Sequence, residues 1–500
     1  MESFQTALTI HAHKNPRAAL STVVAEQCGL ARCTYLPAEP VSHTAVHFLV
    51  GWAAVAVLCW SLPCSAQGVG PTPQPQGTPT QPEDITTETY GYHFQSTGTE
   101  QFQPAFPSRF QGPQSLSAAA NGRETVDATA YLGVRPWEGA EIWFNPEVDQ
   151  GFGLGNTFGV AGFPSGEAYK VGQRDPYFLI QRLFLRQTIN LGGDLQKLDR
   201  DLNQLGGSQT ADRIVVTAGK FSVVDVFDTN KYAHDPRNDF LNWSVIDAGA
   251  FDYAANAWGY TYGAATEIYY GRFAVRLGAF NLSSVPNGAN VSPTVFGQVQ
   301  FLAEVEESHN LWEQPGKLKL LYWIDGGKLG LYTDAIALGR TTDTVPSTAA
   351  VRSYRTKQGV VINLEQQIMP NLGAFARASI SQGNVEEDAF TDINKSVQVG
   401  LSATGDRWKR PEDTAGAAFV VNEISHDGKL YLEAGGLGGI IGDGVLPAAG
   451  PEQIFEAFYS FAVYKDIAHI TCDCQLINHP AYDAVRGPVS VLGARLRAQF

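Results

Sequence analysis

Basic charge is scarce in this chain. Lysine and arginine number 35 against 50 aspartates and glutamates, a formal net charge of −15 over 500 residues. No basic run occurs anywhere, so nucleic-acid binding, which needs a cationic face to displace counterions, is excluded. Charge of either sign is only 17% of residues and hydrophobic residues are 44%, which excludes a disordered chain. Cysteine is nearly missing from the body. Cys28, Cys33, Cys59 and Cys64 precede residue 65, and only Cys472 and Cys474 follow. No disulfide framework can form there, as in large exported chains that need no staples. Heptads, long amphipathic helices and fixed-period repeats are absent, and methionine occurs twice.

The apolar stretch that stands out, Phe48 to Trp60, is shorter than the roughly 20 residues of a membrane helix. Cys64-Ser65-Ala66 then gives a small-x-small pattern before Gln67. Residues 1–66 therefore read as a signal peptide. An anchor helix, or a start downstream of Met1, stays open because a long segment precedes the apolar run. Residues 67–89 begin as a Pro/Gly/Gln tract that cannot pack a core. Residues 90–500 share one texture, with short alternating segments between Gly, Asp, Asn and Pro turns.

The alternation has a period of two. Val126, Ala128, Ala130, Leu132 and Val134 share one parity, and Thr125, Asp127, Thr129 and Tyr131 the other. Ala140, Ile142 and Phe144 likewise oppose Glu141, Trp143, Asn145 and Glu147. The pattern recurs at residues 273–280 and 296–306. Such a period means sheets with unlike faces, found in soluble sandwiches and in membrane barrels alike. Two features favour the barrel. Tryptophan and tyrosine recur at the expected strand ends (Trp137, Trp143, Trp258, Tyr260, Tyr269, Tyr270, Trp312, Tyr322, Trp323), where aromatic girdles form. The chain also closes on an amphipathic strand, with Leu492, Ala494, Leu496, Ala498 and Phe500 opposite Gly493, Arg495, Arg497 and Gln499. In lipid only helices and closed barrels satisfy every backbone group. The expected fold is an all-β transmembrane antiparallel barrel, with Phe500 as its assembly signal.

The segment Phe227–Gly263, with His234-Asp235-Pro236-Arg237 and Phe240-Leu241-Asn242-Trp243, resembles the carbohydrate-selective porin family of the OprB type. Trp143-Phe144-Asn145-Pro146-Glu147, the Gly-rich Gly151–Gly162, Phe184–Ile189 with Leu191-Gly192-Gly193, and Asn478–Tyr482 agree with it. The resemblance covers roughly residues 90–500. It implies a monomeric sixteen-stranded barrel with a sugar-lined constriction in the outer membrane of a Gram-negative bacterium. The sequence itself leaves a homotrimer open. Asp483 stands where the family favours asparagine, Arg497 where it favours histidine, and Cys472 and Cys474 replace non-thiol residues.

The expected function is diffusion of small neutral sugars, with outer-membrane lipid and the barrel-assembly machinery as partners. Such a channel needs donors and acceptors that replace water, plus an aromatic face for the sugar ring, without tight binding. Lumen-parity candidates are Glu141, Trp143, Asn145, Glu147, Arg182, Arg186, Glu267, Arg276, Glu304 and Glu306. The same charges could instead pair as a brace across the lumen. His234–Arg237 reads as a structural loop in which Asp235 pairs with an arginine and Pro236 fixes the turn, because no nucleophile accompanies it. His469, Cys472, Cys474 and His479 have the wrong parity to converge on one metal, so the cysteines read as small lipid-facing residues. Gly435–Gly439 lacks the strand-to-helix context of a phosphate cradle and reads as loop. No cofactor or metal is implied. A secreted β-rich glycosidase and a purely structural barrel are the rival readings; nothing singles out the carboxylate pair that glycoside hydrolysis requires.

The mature chain should begin at Gln67. N-terminal sequencing of outer-membrane material checks this, and retention of any residue from 1–47 would refute it.

Overall fold

The computed structural model describes residues 86–168, 172–389, 392–465 and 467–500. The expected signal peptide and the tail up to residue 85 lie outside the described residues.

Period-two alternation delivers sixteen strands. They are β1 (Tyr90–Gln103), β2 (Asn121–Val134), β3 (Ala140–Gly151) and β4 (Gln173–Leu198), then β5 (Gly207–Phe221), β6 (Thr261–Tyr270), β7 (Phe273–Asn281) and β8 (Val299–Leu311). The second half holds β9 (Gln314–Leu329), β10 (Ser353–Met369), β11 (Leu372–Ser381) and β12 (Lys395–Gly405), then β13 (Arg410–Glu423), β14 (Glu452–Tyr464), β15 (Ala468–Asn478) and β16 (Val489–Gln499). Each pairs antiparallel with its sequence neighbours, and β16 returns to β1 to close the barrel.

Burial is inverted relative to a soluble sandwich. Leu132, Val148, Leu277, Phe301, Val305, Leu320, Phe419 and Leu492 are exposed on the outer face, while Asp127, Thr129, Glu147, Glu304 and Glu306 are buried inside. A continuous exposed apolar band of this kind belongs in hydrocarbon, not in water. No described helix is long and apolar enough to cross a membrane.

The two rims differ. At one, β6–β7, β8–β9 and β10–β11 are joined by two-residue turns at 271–272, 312–313 and 370–371. At the other, long loops run through 104–120, 222–260, 330–352 and 424–451. Two helices not foreseen in the sequence sit in those loops, α1 (Tyr332–Thr342) and α2 (His426–Glu433). The α1 stripe is short, with Tyr332, Ala335, Ile336 and Gly339 buried at i, i+3, i+4 and i+7, and α2 is capped by Ser425, which accepts from the Gly428 N–H. Gly435–Gly439 follows α2 as loop.

The aromatic girdle is only partly as expected. Trp137, Tyr270, Trp312 and Tyr322 are exposed outside. Trp143 and Trp323 are fully buried on inward positions, and Tyr260 is buried in the loop between β5 and β6. Parity sets the side a ring faces, and these rings sit on the inner side or in an infolded loop.

The seam ends on the chain terminus. Phe94 and Phe500 exchange backbone hydrogen bonds, at 2.9 Å from the Phe94 N–H and 3.0 Å from the Phe500 N–H. Their rings lie 5.5 Å apart. Deleting Phe500 removes both bonds where an unsatisfied backbone group in lipid costs several kcal/mol. The deletion should lower the yield of heat-modifiable barrel in membranes more than removal of one residue from any long loop, as read by unheated gel electrophoresis.

Candidate functional site

A closed barrel offers its inner wall to whatever lies inside, and here that is chain. The loop of residues 222–260 folds inward and is largely buried. Its irregular backbone has no ladder to join, so its N–H and C=O groups need partners. Wall carboxylates supply acceptors. Glu456 on β14 accepts from Leu241 (2.5 Å) and Asn242 (3.1 Å), and Glu304 on β8 from the Asp228 N–H (2.9 Å). Glu365 on β10 accepts from the Lys231 N–H (2.9 Å). Wall arginines supply donors: Arg377 reaches the carbonyls of Ala233 (2.8 Å) and Val245 (3.1 Å), and Arg495 those of Pro236 and Asp239. Glu452 holds a second infolded loop through Ala161 (2.9 Å) and Gly162 (2.7 Å). Asn242 also caps the helical turn Trp243–Ile246.

The loop carries apolar anchors as well. Phe240 packs edge-on against Phe375 and Phe458 of the wall and Phe227 edge-on against Phe280, while Phe251 meets Trp323 at a tilt. The inner face thus meets the loop with aromatic rings and with charged hydrogen-bonding side chains together.

All ten residues expected to line the lumen lie on inward positions, and they form separate networks. On β6, β7 and β8, one guanidinium joins three carboxylates: Arg276 contacts Glu267 (3.1 Å), Glu304 (2.8 Å) and Glu306 (2.9 Å). Lys317 also pairs with Glu306, at 3.0 Å. On β3 and β4, Glu141 pairs with Arg135 (3.2 Å) and Arg186 (3.5 Å). Arg182 grips Asp225 of the loop with two bonds, 2.8 and 2.6 Å, and lies over the Tyr260 ring. Asn145 donates to Asn203 at 2.9 Å.

Trp143 does not offer the expected sugar-facing ring. It is fully buried, donates to Glu141 at 3.0 Å and covers Gly133, whose added Cβ would stand 2.6 Å from the ring. Glu147, Glu304 and Glu306 are likewise buried in ion pairs. Water still reaches Arg186 (30% exposed), Lys317 (22%), Glu267 (15%) and Arg182 (15%).

Arg237 is the residue whose role the sequence reading missed. It reaches from the loop to Asp127 (3.3 Å), Glu147 (3.3 Å) and Glu167 (3.2 Å). Burial works against its charge, but these three carboxylates outweigh burial and hold its pKa well above the usual value. Asp127 could have signalled this, being a carboxylate at inward parity. Among the described residues Asp235 makes no ion pair with an arginine side chain, contrary to expectation; it accepts from the Arg237 N–H (2.9 Å) and the Asn238 amide (2.5 Å). His234 stands 3.6 Å from Asp247. Burial lowers its pKa, and the nearby Asp247 carboxylate more than offsets that, leaving it raised.

Cys472 and Cys474 are exposed on the outer face, with Asp473 and Gln475 between and beside them turned inward. Asp483 is buried and accepts from the Val485 N–H at 3.0 Å. Arg497 donates to Gln499 at 2.7 Å.

The sequence model described as "Carbohydrate-selective porin, OprB family" matches residues 114–500. The chain belongs to this family. OprB-family porins are transport proteins of the Gram-negative outer membrane, and that is where this chain resides. The high-pH structure of Pseudomonas putida OprB is similar at 16% identity, covering 82% of this chain and 94% of that one with a TM-score of 0.62. The low-pH structure of the same protein gives 13% identity, 82% and 93% coverage and a TM-score of 0.44. Acinetobacter baumannii OccAB1 gives 12%, 83%, 98% and 0.44. No curated protein sequence matches. In outer-membrane barrels short turns face the periplasm and long loops the exterior, so this porin's infolded loops enter from outside.

Replacing Arg276 by methionine removes the cation shared by the buried Glu304 and Glu306 and the half-buried Glu267, leaving Glu304 without its guanidinium partner and Glu306 with Lys317. The expected cost is about 3–5 kcal/mol, seen as a lower heat-modification temperature in detergent. Adding Glu304→Gln and Glu306→Gln should recover part of it.

Proposed function

We propose that this porin conducts small neutral carbohydrates, glucose-like mono- or small oligosaccharides, by diffusion along the charged side chains that stay in contact with water. Family membership over residues 114–500 carries the reading. Arg182, Arg186, Glu267 and Lys317 support it chemically. Sugars are uncharged and rich in hydroxyls, so fixed guanidinium forks and carboxylates replace water's hydrogen bonds without a net charge to attract or repel. Arg182 beside the Tyr260 ring also pairs a donor with an apolar face. Glu141, Asn145, Glu147, Arg276, Glu304 and Glu306 serve mainly as the frame for that path, because ion pairs and infolded chain cover them. The C-terminal strand ending at Phe500 is read as the segment that the barrel-assembly machinery engages.

Single-channel recording with graded sugars tests the proposal. Glucose should reduce the wild-type ion current. Arg182→Ala should weaken that block about ten-fold or more, since a hydrogen bond from a charged group contributes about 1.5–3 kcal/mol. An ion current that responds to no monosaccharide would refute the reading.

A further inference from the structure

The hairpin formed by the end of β4 and the start of β5 is not part of the barrel wall. The ladder between β3 and β4 ends at Ala140 opposite Gln187. From Thr188 to Leu198, β4 pairs among the described residues with β5 alone. β5 in turn joins β6 only from Arg213 onward. A two-stranded ribbon thus leaves the periplasmic rim, and such a ribbon has little stability of its own.

Its register breaks twice, between Asn190 and Gly192 and between Gly192 and Leu195. Gly192 and Gly193 have φ of 141° and 83°, a backbone that other residues rarely adopt. A Cβ on Gly192 would meet nothing within 4 Å. Crowding does not demand glycine there; the bend does.

The bend carries the tip, residues 199–206, back against the lumen wall. Asn203 accepts from the Asn145 amide with its side chain (2.9 Å) and from Arg186 with its carbonyl (2.7 Å). The Leu205 N–H reaches Glu141 at 3.4 Å. Gly206 accepts from the Glu88 N–H (3.0 Å) and donates to the Glu88 carboxylate (2.8 Å). Arg135 donates to the Gly206 carbonyl at 3.2 Å. Leu205, fully buried, is the tip's apolar anchor, seated over Gly91, where a Cβ would stand 2.8 Å from it. Polar bonds dominate this contact, and water can replace each of them where the periplasm enters. Glu141 and Asn145, two residues expected to meet solute, are thereby covered by the protein's own chain, while Arg186 gives it one bond and keeps contact with water.

We propose that the hairpin of residues 188–212 is a movable gate at the periplasmic mouth, hinged at Gly192-Gly193 and latched by Asn203, Leu205 and Gly206. Docked, it covers Glu141 and Asn145 and narrows the exit. Swung out, it returns those side chains to the water path. The inference rests on the channel reading, and ion current separates the two.

The test locks the latch. Asn145→Cys with Asn203→Cys, in a background where Cys472→Ser and Cys474→Ser remove the native body thiols, joins tip to wall by a disulfide under oxidation. Oxidised and reduced states of one purified protein are then compared in planar bilayers, so losses from the substitutions themselves cancel. Reduction should raise mean ion current by about two-fold and restore open–closed transitions that oxidation suppresses. A second variant, with residues 190–211 replaced by an Asn-Gly turn, should stay in the higher-current state. Equal current and equal transitions in the oxidised and reduced forms overturn the gate, whether or not the shortened variant folds. Current that responds to the lock while glucose fails to pass keeps the gate and refutes the sugar reading.

Discussion

An irregular backbone inside a barrel must find a partner for each polar group, and the rest of this structure follows from that constraint. The loop of residues 222–260 enters the lumen without a sheet to join. Glu456, Glu304 and Glu365 accept its N–H groups, while Arg377 and Arg495 take its carbonyls. A carboxylate suits this task because it offers several lone pairs and bonds to it are charge-assisted. Removing one such side chain would strand donors in a place water reaches poorly, which costs more than the bond itself contributes.

The same arrangement explains why a lumen rich in charge is largely closed to solute. Arg237 and Arg276 each gather three carboxylates. Clusters of that kind are worthwhile mainly for fixing geometry, since desolvation takes back much of the Coulomb gain. Bracing and lining are thus divided among the inward charges. Buried ones position the loops, and the few that keep contact with water, such as Arg186 and Arg182, remain for solute.

Alternation made the wall legible. The inward and outward sets of β2, β3, β7 and β8 were readable residue by residue, because a strand has only two sides and lipid enforces the difference. Phe500 was legible for the same reason. What alternation cannot show is which inward residues are covered. Trp143 and Glu147 face inward as Arg186 does, yet Arg186 keeps contact with water while their burial depends on Gly133, on Arg237 and on an infolded loop distant in sequence. Arg237 lay in a segment that read as a structural turn, and only the folded loop brings it to Asp127. The hairpin beyond Gln187 was hidden too, since a strand that outruns its neighbours looks in sequence like any other strand.

The buried state of the Arg237 and Arg276 clusters has a consequence for habitat. Mobile ions screen exposed charges over about 8–10 Å at physiological salt, but they reach buried pairs poorly. A cell moving between fresh and saline water alters the ionic atmosphere at its surface within moments. These two clusters are shielded from that change, so salinity acts on the ions in transit and on the water-exposed pairs such as Arg186–Glu141 before it acts on the braces that seat the infolded loop.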